Sequence, residues 1–122
     1  MQSENQKLMC PLRHLINTFG GKWKLSIICI LSSGEESKRY SVIKRRLRDI
    51  TGMMLSQSLH ELEESGLIHR EQYNEVPPKV EYSLTEKGRS ALPFLAEAAK
   101  WAVEDMKNEG INTFCSECIN IC

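Results

Sequence analysis

Residues 39–68, RYSVIKRRLRDITGMMLSQSLHELEESGLI, constrain the fold more than any other part of the chain. Apolar residues recur here at helical spacing in two short runs, and a tight turn at 48–50 separates the runs. Ser41 and Thr51 are the candidate N-cap residues of the two helices. Gly66 stands where the second helix is expected to end. The pattern predicts two helices joined by a turn.

Two further helices are expected before this stretch. Pro11 is favoured at the first helical position, and apolar residues follow it at helical spacing up to Phe19. Residues 23–31 are apolar nearly all round, which is typical of a helix inside the core. Residues 38–40 are expected to form a brief strand.

The remaining pattern predicts a β-ribbon and a last helix. Residues 67–73 and 80–84 alternate apolar and polar side chains, so they are expected to pair as antiparallel strands. Pro77 stiffens the loop between them. Thr85 is expected to cap one long helix that runs to residue 108, in which Pro93 is a candidate for a kink.

This order of elements is that of a winged helix-turn-helix, a mainly α fold with a small antiparallel β-ribbon. A chain of 122 residues is about one ordinary domain. Residues 1–108 are predicted to form that domain, and residues 109–122 a flexible tail. In such a fold the helix after the turn lies in the major groove of DNA, and the ribbon reaches phosphate or the minor groove.

Basic residues are concentrated in one segment, although the formal net charge of the chain is zero. Six basic residues and one acidic residue lie between Lys38 and Asp49. Such a patch fits DNA phosphates, and a solvated helix face would look the same. The predicted phosphate contacts, which include two residues of the ribbon, are Arg39, Ser41, Lys44, Arg45, Arg46, Arg48, Arg70 and Lys79.

The helix after the turn supplies the candidates for reading base edges. With Leu55, Leu59 and Leu62 turned inward, the helical period places its polar residues outside. Gln can pair with adenine through two hydrogen bonds, and Met can contact the thymine methyl group. The candidates are Thr51, Met53, Ser56, Gln57 and His60. An ordinary polar helix surface is the alternative, above all for His60.

Cys10 is a candidate redox switch. Pro11 at the first helical position places the Cys10 sulfur at a helix N-terminus, where partial positive charge favours the thiolate. The alternative is a capping residue that stays reduced.

Three cysteines near the end of the chain, Cys115, Cys118 and Cys122, have the spacing C-x2-C-x3-C. This spacing suits zinc or an iron–sulfur cluster, but only three ligands lie close together in sequence. A disulfide with the partner subunit or with Cys10, and a tail without either, are the alternatives. We assign no metal or cofactor.

Several motifs together resemble the HxlR-type family of bacterial winged helix transcriptional regulators, relatives of the MarR type. They are Cys10-Pro11, GGKW at 20–23, residues 39–47, LSQSLHELEESGLIHR at 55–70, YNEVPPKVEYSLTEKGRSALP at 73–93, and Trp101. The resemblance covers about residues 10–103. It implies a homodimer held by its first and last helices, which binds a pseudo-palindromic operator, with repression as the expected outcome. Similar regulators respond to oxidants or electrophiles through an amino-terminal cysteine. The resemblance therefore implies that oxidation of Cys10, on a helix that forms the dimer, would move one subunit against the other.

The chain departs from the family pattern in the reading helix. Gly52 follows the capping Thr51 where Pro is usual, and Ser58 and His60 occupy positions often filled by Arg. No Lys or Arg lies between Thr51 and Ser65. We therefore expect phosphate anchoring to come from the preceding helix and the ribbon.

Other classes of protein receive less support. The longest apolar run is far shorter than the roughly 20 residues of a membrane span, and the polar start does not look like a signal peptide. With an odd number of cysteines, these features predict a cytoplasmic protein without membrane contact. No catalytic grouping stands out, so an enzyme is not expected. A protein-interaction module, a thiol or metal redox protein, and a regulator with a small-molecule or oxidant effector remain open.

Overall fold

A computed structural model of the protein describes residues 8–112. The elements occur in the order α1 (Pro11–Phe19), α2 (Lys24–Ser32), β1 (Ser37–Arg39), α3 (Tyr40–Leu47), α4 (Gly52–Glu64), β2 (Ile68–Tyr73), β3 (Lys79–Leu84), α5 (Glu86–Ser90) and α6 (Leu92–Asn108). This order confirms the predicted winged helix-turn-helix. We call β2, β3 and the residues between them the wing.

The sheet has three antiparallel strands in the order β1-β3-β2. The predicted pairing of the last two strands is confirmed, with Ile68 opposite Leu84 and Tyr73 opposite Lys79. The short first strand adds to the free edge of β3, where Lys38 lies opposite Tyr82. The sheet therefore ties the start of α3 to the base of the wing.

The core lies between α2, α3, α4 and the base of the sheet. The helix α2 is buried on nearly all sides, as its apolar sequence predicts. Side chains from the two helices of the helix-turn-helix pack against it. The most deeply buried residues are Ile27, Ile28, Ile43, Leu55, Leu59, Leu62 and Leu67.

The turn between α3 and α4 is held by specific contacts. The Oγ1 of Thr51 accepts a hydrogen bond from the backbone nitrogen of Met54 at 3.1 Å, which confirms the predicted cap. The hydroxyl of Tyr40 donates to the carbonyl oxygen of Gly52 at 3.1 Å. Ile50 is buried, so the turn is anchored in the core.

The prediction that Ser41 caps α3 is wrong. The helix begins at Tyr40, and Arg39 stands at the N-cap without a side-chain capping bond. Because Arg39 is also the last residue of β1, the chain passes directly from strand to helix. The strand pairing fixes where the helix can start, and this overrides the local preference for a hydroxyl cap.

The single long helix predicted from Thr85 to residue 108 is also wrong. Thr85 caps the short α5 by accepting from the nitrogen of Gly88 at 3.0 Å, and Ala91 separates α5 from α6. Pro93 lies in the first turn of α6, where its missing N–H leaves no hydrogen bond unmade. The proline therefore starts a second helix instead of bending the first.

Within residues 8–112, no helix has both the length and the apolar content that a membrane crossing requires.

Candidate nucleic-acid interface

The helix α4 presents one exposed side that carries four of the five predicted base-reading residues, and the fifth, Thr51, is its N-cap. Its inner side is formed by the buried leucines, and Met53 on the outer side is 80% exposed. Ser56, Gln57 and His60 are exposed, and so is Thr51 at the N-cap. We call this side the reading face. It combines hydrogen-bonding groups with one apolar side chain that water surrounds.

Two side chains behind the reading face were not identified from the sequence. The Nε2 of Gln57 donates to the Oε2 of Glu61 at 3.1 Å, and the Nζ of Lys24 lies 2.9 Å from the Oε1 of Glu61. The hydrogen bond from Lys24, followed by that from Gln57, lowers the pKa of the Glu61 carboxyl group. The i, i+4 spacing of Gln57 and Glu61 is visible in the sequence. The contact with Lys24 depends on how α2 packs.

His60 on the reading face also has a carboxylate neighbour. Its Nε2 lies 3.3 Å from the Oε2 of Glu64, and both side chains are exposed. An exposed pair of this kind is worth little and can exchange for another partner. His60 therefore keeps its predicted place on the reading face.

The basic patch is smaller than the sequence suggests. Arg45 and Arg48 are exposed, whereas Lys44 and Arg46 are half-buried. The Nη1 of Arg46 lies 3.5 Å from the hydroxyl of Ser33.

The inclusion of Lys38 in that patch is wrong, because its side chain is buried. Its Nζ donates to the carbonyl oxygens of Ser33 and Glu35. Burial, together with the charge of Arg46, lowers the pKa of Lys38. Its charge stabilises the loop before β1 and does not lie on the surface.

On the wing, Lys79, which is predicted to contact phosphate, lies close to two carboxylates. The Nζ of Lys79 lies 3.8 Å from Glu75 and 3.6 Å from Glu81, and 4.7 Å from the ring centre of Tyr73. Arg39 lies opposite Glu81 in the sheet.

A hydrogen bond from Ser37 lowers the pKa of the Glu81 carboxyl group, and the charges of Lys79 and Arg39 act in the same direction. Arg70 is exposed on β2. Because surface ion pairs are weak, phosphate can compete for these cations.

Cys10 stands at the N-cap of α1, and its side chain is exposed. The outer side of α1 beside it is apolar, with Leu12 68% and Ile16 65% exposed. Trp101 on α6 is 71% exposed. Large apolar side chains are thus exposed on both α1 and α6.

The predicted metal or disulfide residues Cys115, Cys118 and Cys122 lie outside the described residues. Among residues 8–112, no three of the side chains that commonly bind metals are grouped closely enough to hold an ion.

The fold and the reading face together define a DNA-binding protein of the winged helix-turn-helix class. The model of the HxlR-like helix-turn-helix family matches residues 18–110. The chain belongs to this family, whose members are transcriptional regulators.

Similar proteins agree with this assignment. An HTH-type transcriptional regulator from Methanothermobacter thermautotrophicus is 47% identical over 97 residues, which are 80% of this chain and 72% of the relative. The redox regulator HypR in its oxidised form is 41% identical, with a TM-score of 0.72 over 78% of this chain and 96% of HypR. The reduced form of the transcriptional regulator YodB from Bacillus subtilis is 34% identical, with a TM-score of 0.69 over 80% of this chain and 94% of YodB.

Proposed function

We propose that the protein is a sequence-specific repressor that binds a pseudo-palindromic operator as a homodimer in the cytoplasm. The observation that supports this most strongly is the reading face, where Met53, Ser56 and Gln57 project from a helix that buried leucines and the Thr51 cap hold in place. Side chains of these types can distinguish adenine and thymine in the major groove. We propose that residues 1–108 make up the DNA-binding unit; the predicted tail, 109–122, lies mostly outside the described residues.

Phosphate contacts come from the elements on either side of the reading face. Arg45 and Arg48 are exposed at the end of α3, and Arg39, Arg70 and Lys79 lie on the sheet. Lys44 and Arg46 add charge from half-buried positions, and the exposed Ser41 offers a hydroxyl in the first turn of α3. Such contacts fix the protein on the duplex without selecting a sequence.

The dimer forms through α1 and α6. Leu12, Ile16, Phe94 and Trp101 are large apolar side chains exposed on these two helices. A second copy of the chain that covers them would remove this surface from water. It would also present two reading faces, as a palindromic site requires.

Cys10 is proposed to make DNA binding sensitive to oxidants. Its exposed thiol lies at the start of α1, next to the apolar surface proposed for the dimer. A thiol oxidant such as diamide takes two electrons and two protons from two thiols, which then form a disulfide. With Cys10 as one of the two thiols, the new bond would alter how the subunits are arranged. The likeness to the redox regulator HypR supports this proposal.

The redox proposal is tested with the variant Cys10→Ser. Diamide should change the affinity of the unmodified protein for its operator, and dithiothreitol should reverse the change. The variant should bind DNA equally well with and without diamide. A Cys10→Ser protein that still responds would assign the response to another cysteine.

Mobility shifts on DNA from upstream of the protein's own gene test the main proposal. With excess competitor DNA, the unmodified protein should retain a specific complex. Ser56→Glu places a carboxylate on the reading face and should abolish that complex. Ser90→Glu adds the same charge at an exposed serine of α5 and should leave it intact. Equal binding by both variants would rule out the reading face.

A further inference from the structure

The side chain of Glu61 is held at both of its oxygen atoms. Lys24 contacts Oε1 at 2.9 Å, and the amide of Gln57 contacts Oε2 at 3.1 Å. The Lys24 side chain is only 12% exposed, so the core of the protein restricts its position. Glu61 therefore connects a fixed cation on α2 to an exposed amide on the reading face.

This contact determines which way the Gln57 amide points. An ionised carboxylate can only accept hydrogen bonds, so the NH₂ group of Gln57 must face Glu61 and its carbonyl oxygen must face away. One N–H of the NH₂ group and the carbonyl oxygen remain available. These are the donor and the acceptor that a glutamine uses on N7 and N6 of adenine.

Lys24 also offsets the negative charge of Glu61. A carboxylate behind the reading face would repel the phosphates of a bound duplex, and Lys24 offsets that charge. The two hydrogen bonds also lower the pKa of Glu61, so this carboxyl group stays ionised to a more acidic pH than an ordinary glutamate.

We propose that Glu61, held by Lys24, is a positioning residue that orients the Gln57 amide for reading a base. The inference deepens the proposed function and rests on its assumption that Gln57 contacts a base pair. Glu61 itself acts through Gln57 and contacts no base. Holding a mobile side chain in its bound conformation is worth about 2- to 12-fold in affinity.

The test is a double-mutant cycle on DNA specificity. The variants are Gln57→Ala, Glu61→Ala and the double variant, and each is measured on operators in which every base pair is replaced in turn. Gln57→Ala should reduce discrimination at one base pair per half-site by roughly 5- to 150-fold. Glu61→Ala should reduce discrimination at that same base pair by about 2- to 12-fold. It should have no further effect there once Gln57 is Ala.

Two more variants separate positioning from charge. Lys24→Met should reduce discrimination at the same base pair, and it should lose this effect in the Glu61→Ala background. Glu63→Gln removes an equal charge from an exposed residue of the same helix and should leave discrimination unchanged.

Other results overturn the inference. If Glu61→Ala changes discrimination at a different base pair, Glu61 reads a base directly. If it changes none while Gln57→Ala does, Glu61 does not position Gln57, and the proposed function survives. If Gln57→Ala itself leaves every base pair unchanged, the assumption that Gln57 reads a base fails first.

Discussion

Replacing Arg45 with Ala should flatten the salt dependence of DNA binding by a calculable amount. Arg45 is exposed in the last turn of α3, just before the turn that leads to the reading face. Each phosphate contact contributes about 0.9 to the slope of log K against log salt concentration. A dimer contains two copies of Arg45, so the slope should decrease by about 1.8. Between 50 and 200 mM salt, the unmodified protein should then lose about 12-fold more affinity than the variant.

Fluorescence anisotropy on a labelled operator at four or more salt concentrations measures this slope. Lys107→Ala removes one positive charge from an exposed residue of α6 and should leave the slope unchanged. Arg46→Ala should have a smaller effect than Arg45→Ala, because Arg46 is half-buried and contacts Ser33. An Arg45→Ala protein with the slope of the unmodified protein would refute the placement of α3 along the phosphates.

Three further variants test the parts that support the reading face and the dimer. Thr51→Ala removes the acceptor for the nitrogen of Met54 and should lower the free energy of unfolding by about 1 kcal/mol in urea titrations. Thr51→Ser keeps a hydroxyl acceptor and should leave the free energy of unfolding nearly unchanged. A Cβ atom at Gly88 would clash with the carbonyl oxygen of Leu67, which it would approach to 2.2 Å. Gly88→Ala should therefore lower the free energy of unfolding by about 1–3 kcal/mol in the same titrations. Ser90→Ala on the same helix should change the free energy of unfolding by less than about 0.5 kcal/mol. Trp101→Ala should raise the dissociation constant of the dimer about 30-fold or more in analytical ultracentrifugation, while Lys107→Ala, exposed on a different side of α6, should not. A dimer equally stable in both α6 variants would place the interface elsewhere.

The sequence predicts the parts of the fold that depend on local patterns. The helical spacing of Leu55, Leu59 and Leu62 and the cap at Thr51 are enough to predict α4, and the structure confirms both. The exposed side of that helix follows from the same spacing. Most of the candidate interface was therefore accessible to sequence reasoning.

The features that the sequence did not predict depend on contacts between distant residues. Lys38 looks like a surface cation in the sequence, but pairing of β1 with β3 turns it inward to the loop carbonyls. Ser41 is a good cap by composition, but the strand extends to Arg39 and the helix has already begun. Lys24 and Glu61 are 37 positions apart, so only the packing of α2 against α4 brings them together.

Selection of bound fragments from a random DNA pool tests the central claim most directly, because it reports both specificity and symmetry. Two reading faces related by a two-fold axis should select two inverted half-sites whose centres are about one helical turn, or a multiple of it, apart. Each half-site should contain the base pair at which Gln57→Ala loses discrimination. Recovery of a single unpaired half-site, or of no common sequence at all, would contradict the account.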